Sequence, residues 1–200
     1  MSHPGPSLLL LVRHGATTWA AQGRHTGRTD IELTDAGRAQ SAQLTRLLER
    51  LLRDRGEPIV FTSDLMRAKE TAALAMPGFP TEETHLLSEV DYGDFEGITA
   101  QQIEARQPGW SLFTDGCPGG ESVTSITARC DSFIAKIERM ASGRPVVAFT
   151  HGHLSRALAA RLLDVPVQAA SGFYNETATV GVFDHRRGAL VLTGWNLTPK

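Results

Sequence analysis

Two histidines follow short apolar runs of the chain. His14 comes after residues 8–12, with Arg13 in between, and His151 comes shortly after residues 146–149. A glycine follows each histidine, which lets the backbone turn closely and leaves room for a ligand. If the runs are buried strands that end at one edge of a sheet, both imidazoles and the Arg13 guanidinium face one pocket. Such a group can bind an oxyanion and supply a nucleophile.

The elements around these residues predict an α/β fold. A third apolar run, residues 59–61, precedes Ser63, and uninterrupted runs of this kind are typical of strands buried on both faces. Strands that alternate with helices predict a three-layer sandwich, with a mostly parallel central sheet and helices on both faces. Ligands in such folds bind beyond the carboxyl ends of the strands. Helices are predicted over about 34–53, from 63 or 64 to 76, from 99 to before 108, over 123–141 and over 154–163, and two further strands over 178–184 and 189–195.

Length and composition indicate one ordinary domain. The chain has 200 residues, 41% of them hydrophobic, and a net charge of −2. We expect a single domain over residues 8–200 after a flexible lead-in at residues 1–7. The near-neutral charge argues against nucleic acid or an anionic membrane as the main partner. Two cysteines, Cys117 and Cys130, favour a reducing compartment, so we expect a cytoplasmic protein, with one disulfide as the less favoured alternative.

Six blocks, in order along almost the whole chain, resemble the histidine phosphatase superfamily in its phosphoglycerate mutase-like branch. Each block alone is modest evidence, but their common order makes coincidence implausible. The resemblance implies a phosphoglycerate mutase-like fold. The blocks are residues 11–19 (LVRHGATTW), 23–27 with 33–37, 62–68 (TSDLMRA), 87–89 with 93–97, 118–122 (PGGES) and 150–152 (THG).

The resemblance implies a role for each residue that would react. His14 matches the family nucleophile, whose neutral imidazole takes the phosphoryl group onto a ring nitrogen. His151 matches the second histidine, which in protonated form would donate to the phosphoryl oxygens. Glu89 matches the proton donor to the leaving oxygen, which would then deprotonate the attacking water. The neighbouring alternatives for the proton donor are Asp91, Asp94 and Glu96.

Other residues are implied to bind or to support. Arg13 and Arg67 match residues that hold phosphoryl oxygens, together with Thr26 and Gly27. Without the motif, Arg67 would be interpreted as a solvated or ion-paired side chain. Catalytic zinc usually has three protein ligands, which His151 and His153 do not complete, so we expect no metal and no cofactor. Ser63 and Glu121 are expected to support the site from behind. The pocket is expected to be shaped by Arg24, His25, Thr26, Arg28, Tyr92, Trp110, Cys117 and His153.

Two departures from the mutase pattern favour hydrolysis. Ala16 and Ala20 stand where mutases usually have Glu and Asn, and the segment from Glu89 to His151 is short. Its basic residues, between positions 99 and 142, are interpreted as helix-surface side chains: Arg106, Arg129, Lys136 and Arg139. We therefore expect a metal-independent phosphomonoesterase, similar to mutase-like bacterial acid phosphatases, that acts on a small phosphorylated metabolite or an aryl phosphate. The alternatives are a phosphoglycerate mutase or related phosphotransferase, and a non-catalytic phospho-ligand binding domain; a homodimer is possible.

Overall fold

A computed structural model describes residues 5–199 and contains a six-stranded sheet in that range, with strand order β3-β2-β4-β1-β5-β6. The first four strands in this order pair in parallel, whereas β5 is antiparallel to β1 and to β6. The predicted α/β class and the mostly parallel sheet are confirmed. The strands are β1 (Leu8–Arg13), β2 (Ile59–Thr62), β3 (Thr81–Glu83), β4 (Val146–Thr150), β5 (Val180–Arg186) and β6 (Ala189–Leu197).

Helices cover both faces of the sheet. Alternate side chains of β1 enter two separate cores: Leu9 and Leu11 pack with one set of helices, and Leu8 and Leu10 with the other. Because successive side chains of a strand point to opposite faces, a strand between two helical layers is apolar at every position. The helices are α1 (Thr18–Ala21), α2 (Asp35–Leu52), α3 (Met66–Ala75), α4 (Ala100–Arg106), α5 (Leu112–Asp115), α6 (Val123–Ala141) and α7 (Gly152–Leu162); α6 and α7 join the core of Leu9, and α2 and α3 the core of Leu8.

The predicted starts of α2 and α4 are confirmed. The hydroxyl of Thr34 accepts from the Gly37 N–H at 3.0 Å, which caps α2. Thr99 and Gln102 form a capping box, in which each side chain accepts from the other residue's backbone N–H. A capped first turn satisfies N–H groups that would otherwise have no partner in the helix.

The predicted start of α3 is wrong. Neither Ser63 nor Asp64 is the N-cap, because the helix begins at Met66 and its capping position, Leu65, has no side-chain acceptor. Instead the Met66 N–H donates to Asp30 Oδ1 at 2.8 Å, across 36 residues of sequence. The local sequence does not predict this cap, because its acceptor comes from a distant loop.

Some elements have no signal in the sequence. Strand β3 has the sequence Thr81-Glu82-Glu83, and all three residues are exposed at the sheet edge, so no apolar pattern marks it. Of the expected lead-in at residues 1–7, positions 1–4 lie outside the described residues. Ser7 donates its N–H to the Arg144 carbonyl and accepts from the His185 N–H with its own carbonyl. No helix of the described residues has the length and apolar character that a membrane span requires.

The loop after β1 packs backbone to backbone against the start of α2. A Cβ placed on Gly37 would lie 2.1 Å from the Ala16 carbonyl oxygen, and one on Gly15 would lie 2.4 Å from the Gly37 carbonyl oxygen. Side-chain atoms cannot occupy these distances, so both positions need glycine. The contact fixes the segment that carries His14 against a long, rigid helix.

We expect Gly37→Ala to lower the free energy of unfolding by about 1–3 kcal/mol, because the new methyl group must displace backbone. In an unobstructed helix the same change is stabilising, since alanine has the higher helix propensity. Urea unfolding measures the difference. Gly172→Ala is the control, because a Cβ there has no neighbour within 4 Å. Equal stabilities of the two variants would contradict the close approach.

Candidate active site

The carboxyl ends of three strands bring the predicted residues together. Arg13 ends β1, His14 and His151 directly follow β1 and β4, and Ser63 follows β2. The His14 N–H donates to the Thr150 carbonyl at 3.0 Å, so the two strand ends are joined where the histidines begin. The two imidazole ring centroids lie 5.2 Å apart. Residues 137 positions apart in sequence thus form one group.

One ring nitrogen of His14 is hydrogen-bonded to the protein, and the other is not. Nδ1 donates to the Gly15 carbonyl at 2.7 Å, since a carbonyl oxygen can only accept. Nε2 has no hydrogen-bond partner among the described residues, yet it is not sealed from solvent. Burial lowers the pKa of His14 well below its ordinary value, and the charges of Arg67 and Arg13 lower it further. His14 is therefore a neutral imidazole with its lone pair on Nε2.

His151 is neutral as well, which corrects the expectation of a protonated ring. Its Nδ1 accepts from Arg67 Nε at 3.1 Å, so the ring proton is on Nε2, which donates to Ser63 Oγ at 2.8 Å. Burial lowers the pKa of His151 well below its ordinary value, with further lowering from Arg67 and His14. The ring remains a hydrogen-bond donor through Nε2, but without a positive charge. Ser63 lies behind it as a supporting residue.

Arg67 is fully buried and acts as a clamp behind the histidines. Besides the bond to His151, its NH2 donates to the carbonyls of Thr26 and Gly27, and its NH1 to the Thr29 carbonyl. Four of the five guanidinium N–H groups are thus committed to the protein. Arg67 does not line the cavity in front of His14. It was expected to hold phosphoryl oxygens directly; here it fixes the loop that carries the cavity wall.

Two further residues expected to bind phosphate lie differently from that expectation. Gly27 has its N–H bonded to the Glu96 carboxylate and its carbonyl bonded to Arg67, so neither backbone group is free for a ligand. Thr26 lines the cavity, but its hydroxyl donates to the Arg24 carbonyl at 3.3 Å. The polar groups of this loop are therefore hydrogen-bonded within the protein and are not arranged to bind an oxyanion.

Arg13 lines the cavity and is oriented by two neighbours. Its NH1 donates to the Asn175 carbonyl at 2.6 Å, while its Nε is buried without a partner among the described residues. A Cβ on Gly152 would lie 3.2 Å from the Arg13 Cζ atom. The glycine after His151 thus leaves room for the guanidinium, where the sequence suggested room for a ligand.

Glu89 joins the cavity to the N-terminus of α7. Oε1 accepts from the Val90 and Leu154 N–H groups at 3.0 and 2.9 Å, and Oε2 accepts from the His153 N–H at 3.0 Å. Oε2 therefore has the freer lone pair. Of the four carboxylates considered as proton donor, Glu89 alone lines this cavity among the described residues. The others lie elsewhere: Asp91 pairs with Arg28 at 2.7 Å, Glu96 accepts from the Gly27 and Thr29 N–H groups, and Asp94 lies beside Gly119.

The cavity in front of His14 has a volume of about 230 Å³. Five of the predicted pocket residues line it: Arg24, His25, Thr26, Tyr92 and His153. Trp110 does not, because it lies behind His25, at 6.0 Å between ring centroids, and donates to the Gly116 carbonyl. Arg28 is outside, paired with Asp91. Cys117 is buried away from the cavity, and burial raises its thiol pKa to about 12.

Sequence analysis missed three residues of the wall: Arg156, Tyr174 and Asn175. Arg156 stands three residues after His153 on α7, so helical spacing could have placed both on one face. Its Nε donates to the Ala170 carbonyl, and its guanidinium lies 5.1 Å from the Phe113 ring centroid. Tyr174 and Asn175 are in an irregular segment before β5, where no local pattern indicates a direction.

Arg129 corrects the interpretation of the basic residues as surface side chains. It forms a two-pronged ion pair with Glu121, at 2.9 and 2.7 Å, and also donates to the Ser88 carbonyl. The two side chains are only 13% and 12% exposed. Glu121 in turn accepts from the Asp91 N–H. The pair therefore holds the backbone on both sides of Glu89, which agrees with the supporting position expected for Glu121.

The described residues contain no group of three or more His, Cys, Asp or Glu side chains arranged to hold a metal ion. The ionisable groups of the cavity in front of His14 include the guanidinium groups of Arg13, Arg24 and Arg156 and the carboxyl group of Glu89. Positive charge prevails, which suits an anionic ligand.

A mostly parallel sheet whose carboxyl edge presents two imidazoles and a guanidinium defines the class of this protein, an α/β domain with a histidine-centred site. The chain matches the histidine phosphatase superfamily (branch 1) over residues 9–198, and it belongs to that family. An acid phosphatase of Mycobacterium tuberculosis is 43% identical over 191 residues, 95% of this chain and 92% of that protein. A glucosyl-3-phosphoglycerate phosphatase of the same species is 34% identical over 174 residues, 80% of this chain and 76% of that protein. A solved M. tuberculosis structure superposes with a TM-score of 0.91 at 42% identity, covering 96% of this chain and 98% of that one.

We expect Arg129→Met to lower the free energy of unfolding by about 3 kcal/mol, because it leaves the mostly buried Glu121 carboxylate without its charged partner. Chemical denaturation at neutral pH measures the change. Arg139→Met is the matched control, since Arg139 is exposed on the same helix and its loss should change stability by less than about 0.5 kcal/mol. A small change in the free energy of unfolding at both positions would contradict the buried ion pair of Arg129.

Proposed function

We propose that this protein is a phosphatase that hydrolyses small phosphate monoesters through a phosphohistidine on His14, without a metal ion. The observation that carries the proposal is the His14 ring: a neutral imidazole with its Nε2 lone pair open to a cavity that Arg13 also lines. The relatives named as phosphatases support the same reaction. A neutral imidazole is a competent nucleophile and can later leave as one.

The reaction divides into two displacements at phosphorus. In the first, His14 Nε2 forms a bond to phosphorus while the bond to the ester oxygen breaks, and Glu89 gives that oxygen its proton. In the second, a water oxygen attacks the same phosphorus and transfers a proton to Glu89. The phosphorus–nitrogen bond breaks, and its electron pair returns to Nε2. Glu89 and His14 end in the states in which they began.

Arg13 is proposed to bind the phosphoryl oxygens, since positioning and charge stabilisation account for most phosphoryl-transfer catalysis. The His151 Nε2–H is the second proposed donor, for which a phosphoryl oxygen would compete with Ser63. Arg67 contributes its buried charge from behind the two histidines. These groups lie around the ring of His14, where negative charge develops.

Hydrolysis is favoured over transfer to a second substrate hydroxyl by the engagement of basic side chains. Arg129 pairs with Glu121, and Lys136 pairs with Glu82 at 2.6 Å, so neither is free to retain a second phosphate group. The basic side chains that do line the cavity beside Arg13 are Arg24 and Arg156, and both are bonded to backbone carbonyls, so a phosphorylated His14 would meet water first. A small phosphorylated metabolite or an aryl phosphate both fit this proposal.

The cytoplasm is the proposed location, because Cys117 and Cys130 are both free thiols and both buried. Reducing compartments keep cysteines in this state. Assembly as a homodimer stays a prediction.

Phosphoryl trapping tests the nucleophile. Rapid quenching in alkali during turnover of ³²P-labelled p-nitrophenyl phosphate should leave label on the wild-type protein that acid removes, as for a phosphorus–nitrogen bond. His14→Ala should carry no label and release no phosphate, whereas His185→Ala, a change on the exposed surface, should behave as wild type. Turnover should persist with a chelator present. Retained turnover by folded His14→Ala would reject the mechanism.

The leaving group tests Glu89. In Glu89→Gln, kcat/KM should fall at least about tenfold more for an alkyl phosphate than for p-nitrophenyl phosphate, since nitrophenolate departs without protonation. Comparing two substrates on one preparation removes any effect of the variant on folding. Asp91→Asn is the matched control, because Asp91 lies outside the cavity. An equal loss on both substrates would assign the proton to another group.

A further inference from the structure

Two imidazoles stack in the wall of the cavity and take no part in the steps above. The rings of His25 and His153 have centroids 5.5 Å apart and planes inclined by only 12°. Both residues line the cavity that His14 opens into. Tyr92 contacts the edges of both rings, at 4.8 and 5.7 Å between centroids. Such an arrangement fixes the direction of each ring.

The hydrogen bond of His25 determines where its proton is. Nδ1 lies 3.2 Å from the Ile98 carbonyl oxygen, which can only accept, so Nδ1 carries the proton. Burial lowers the pKa of His25, which keeps the ring neutral. Nε2 of His25 therefore carries a lone pair and is a hydrogen-bond acceptor.

His153 has the opposite arrangement. Its Nδ1 lies 2.5 Å from the Tyr92 hydroxyl, and that hydroxyl has no other acceptor among the described residues. We assign the phenol as the donor to Nδ1, which puts the imidazole proton on Nε2. Burial raises the pKa of Tyr92 and lowers that of His153, so both groups stay neutral. Nε2 of His153 is a hydrogen-bond donor.

The two Nε2 atoms are thus an acceptor and a donor in neighbouring rings. Neither has a hydrogen-bond partner in the described part of the chain, and neither is sealed from solvent. A polar atom that is open to a cavity and uncommitted in the protein is available to a ligand. The ligand group that suits this pair must be able to accept and to donate.

We propose that His25 and His153 recognise a hydroxyl group on the leaving group of the substrate. A hydroxyl both donates and accepts through one oxygen atom, whereas an ether or an alkyl chain cannot do both. The cavity of about 230 Å³ is smaller than the roughly 300–1,000 Å³ typical of pockets for drug-sized ligands, which favours a small leaving group. The substrate class is a small polyhydroxylated phosphate monoester, such as a polyol or sugar phosphate. This inference rests on the proposed phosphatase function.

Matched substrate pairs test it. Glycerol 1-phosphate is compared with n-propyl phosphate, and glucose 6-phosphate with cyclohexylmethyl phosphate, so that each pair differs in its hydroxyl groups. In His25→Phe, which keeps an aromatic ring but loses the acceptor, the kcat/KM ratio of at least one pair should fall about tenfold from its wild-type value. His185→Phe is the control, because His185 is exposed and outside the cavity, and its ratios should equal those of the wild type.

The ratio makes the outcomes distinguishable. Both members of a pair are measured on one preparation, so partial misfolding cancels, and intrinsic differences between leaving groups are the same in wild type and variant. Unchanged ratios in His25→Phe, with phosphate released from all four esters, would overturn the hydroxyl pair and leave the phosphatase proposal intact. Absence of phosphate release from every ester and from p-nitrophenyl phosphate would overturn the phosphatase proposal and, with it, this inference.

The proton positions are open to direct measurement without substrate. In protein labelled with ¹⁵N-histidine at pH 7.5, two-bond ¹⁵N–¹H correlations should show the proton of His25 on Nδ1 and that of His153 on Nε2. His25→Phe and His153→Phe assign the two rings. The same tautomer in both rings would overturn the proposal, whatever the enzymatic activity.

Discussion

A buried guanidinium organises this protein. Arg67 lies between His151 and the loop at residues 26–29, and four of its N–H groups are bound by acceptors that come from distant parts of the chain. Removing a charge from water is costly unless hydrogen bonds replace those of the solvent. The loop covers Arg67 and supplies three of these acceptors. It directly follows Arg24 and His25, which line the cavity in front of His14, so the wall of the site adjoins a loop that is held by a residue behind it.

The same charge sets the protonation of the site. Burial is the main reason that His14 and His151 stay neutral, and Arg67 adds to it for both rings. A nucleophile needs this state, because a protonated imidazole has no lone pair to offer. The site thus combines positive charge that attracts an anion with an uncharged ring that can attack it. One residue cannot be both positively charged and a neutral nucleophile. In this fold the charge is on arginines and the nucleophilic ring is the neighbouring His14.

The parts of the site that follow strand ends could be predicted from sequence, because the carboxyl edge of a parallel sheet brings distant residues together by a general rule. Arg13, His14, Ser63 and His151 are found where that rule places them. Residues that depend on side-chain direction could not be placed. Arg67 and Gly27 carry the family motif, yet their hydrogen bonds are directed into the protein. Trp110 lies behind His25 and does not reach the cavity. Arg129 is predicted to lie on the helix surface, because helical spacing relates it only to other residues of α6. That spacing does not reveal the ion pair with Glu121, which lies before the helix begins.

The floor of the cavity, formed by Arg13 and His14 at a strand end, is held differently from its wall, which includes Arg24, His25 and His153. Floor residues are held by backbone groups of the sheet and of α7, so the phosphoryl chemistry depends on geometry common to the fold. The wall is held by side chains of other segments: Tyr92 fixes His153, and Trp110 lies against His25. Changes in these segments can alter the groups that face the leaving group and leave the carboxyl edge of the sheet untouched. Most of the residues proposed to react therefore follow strand ends that a sequence displays, whereas the residues proposed to contact the leaving group do not.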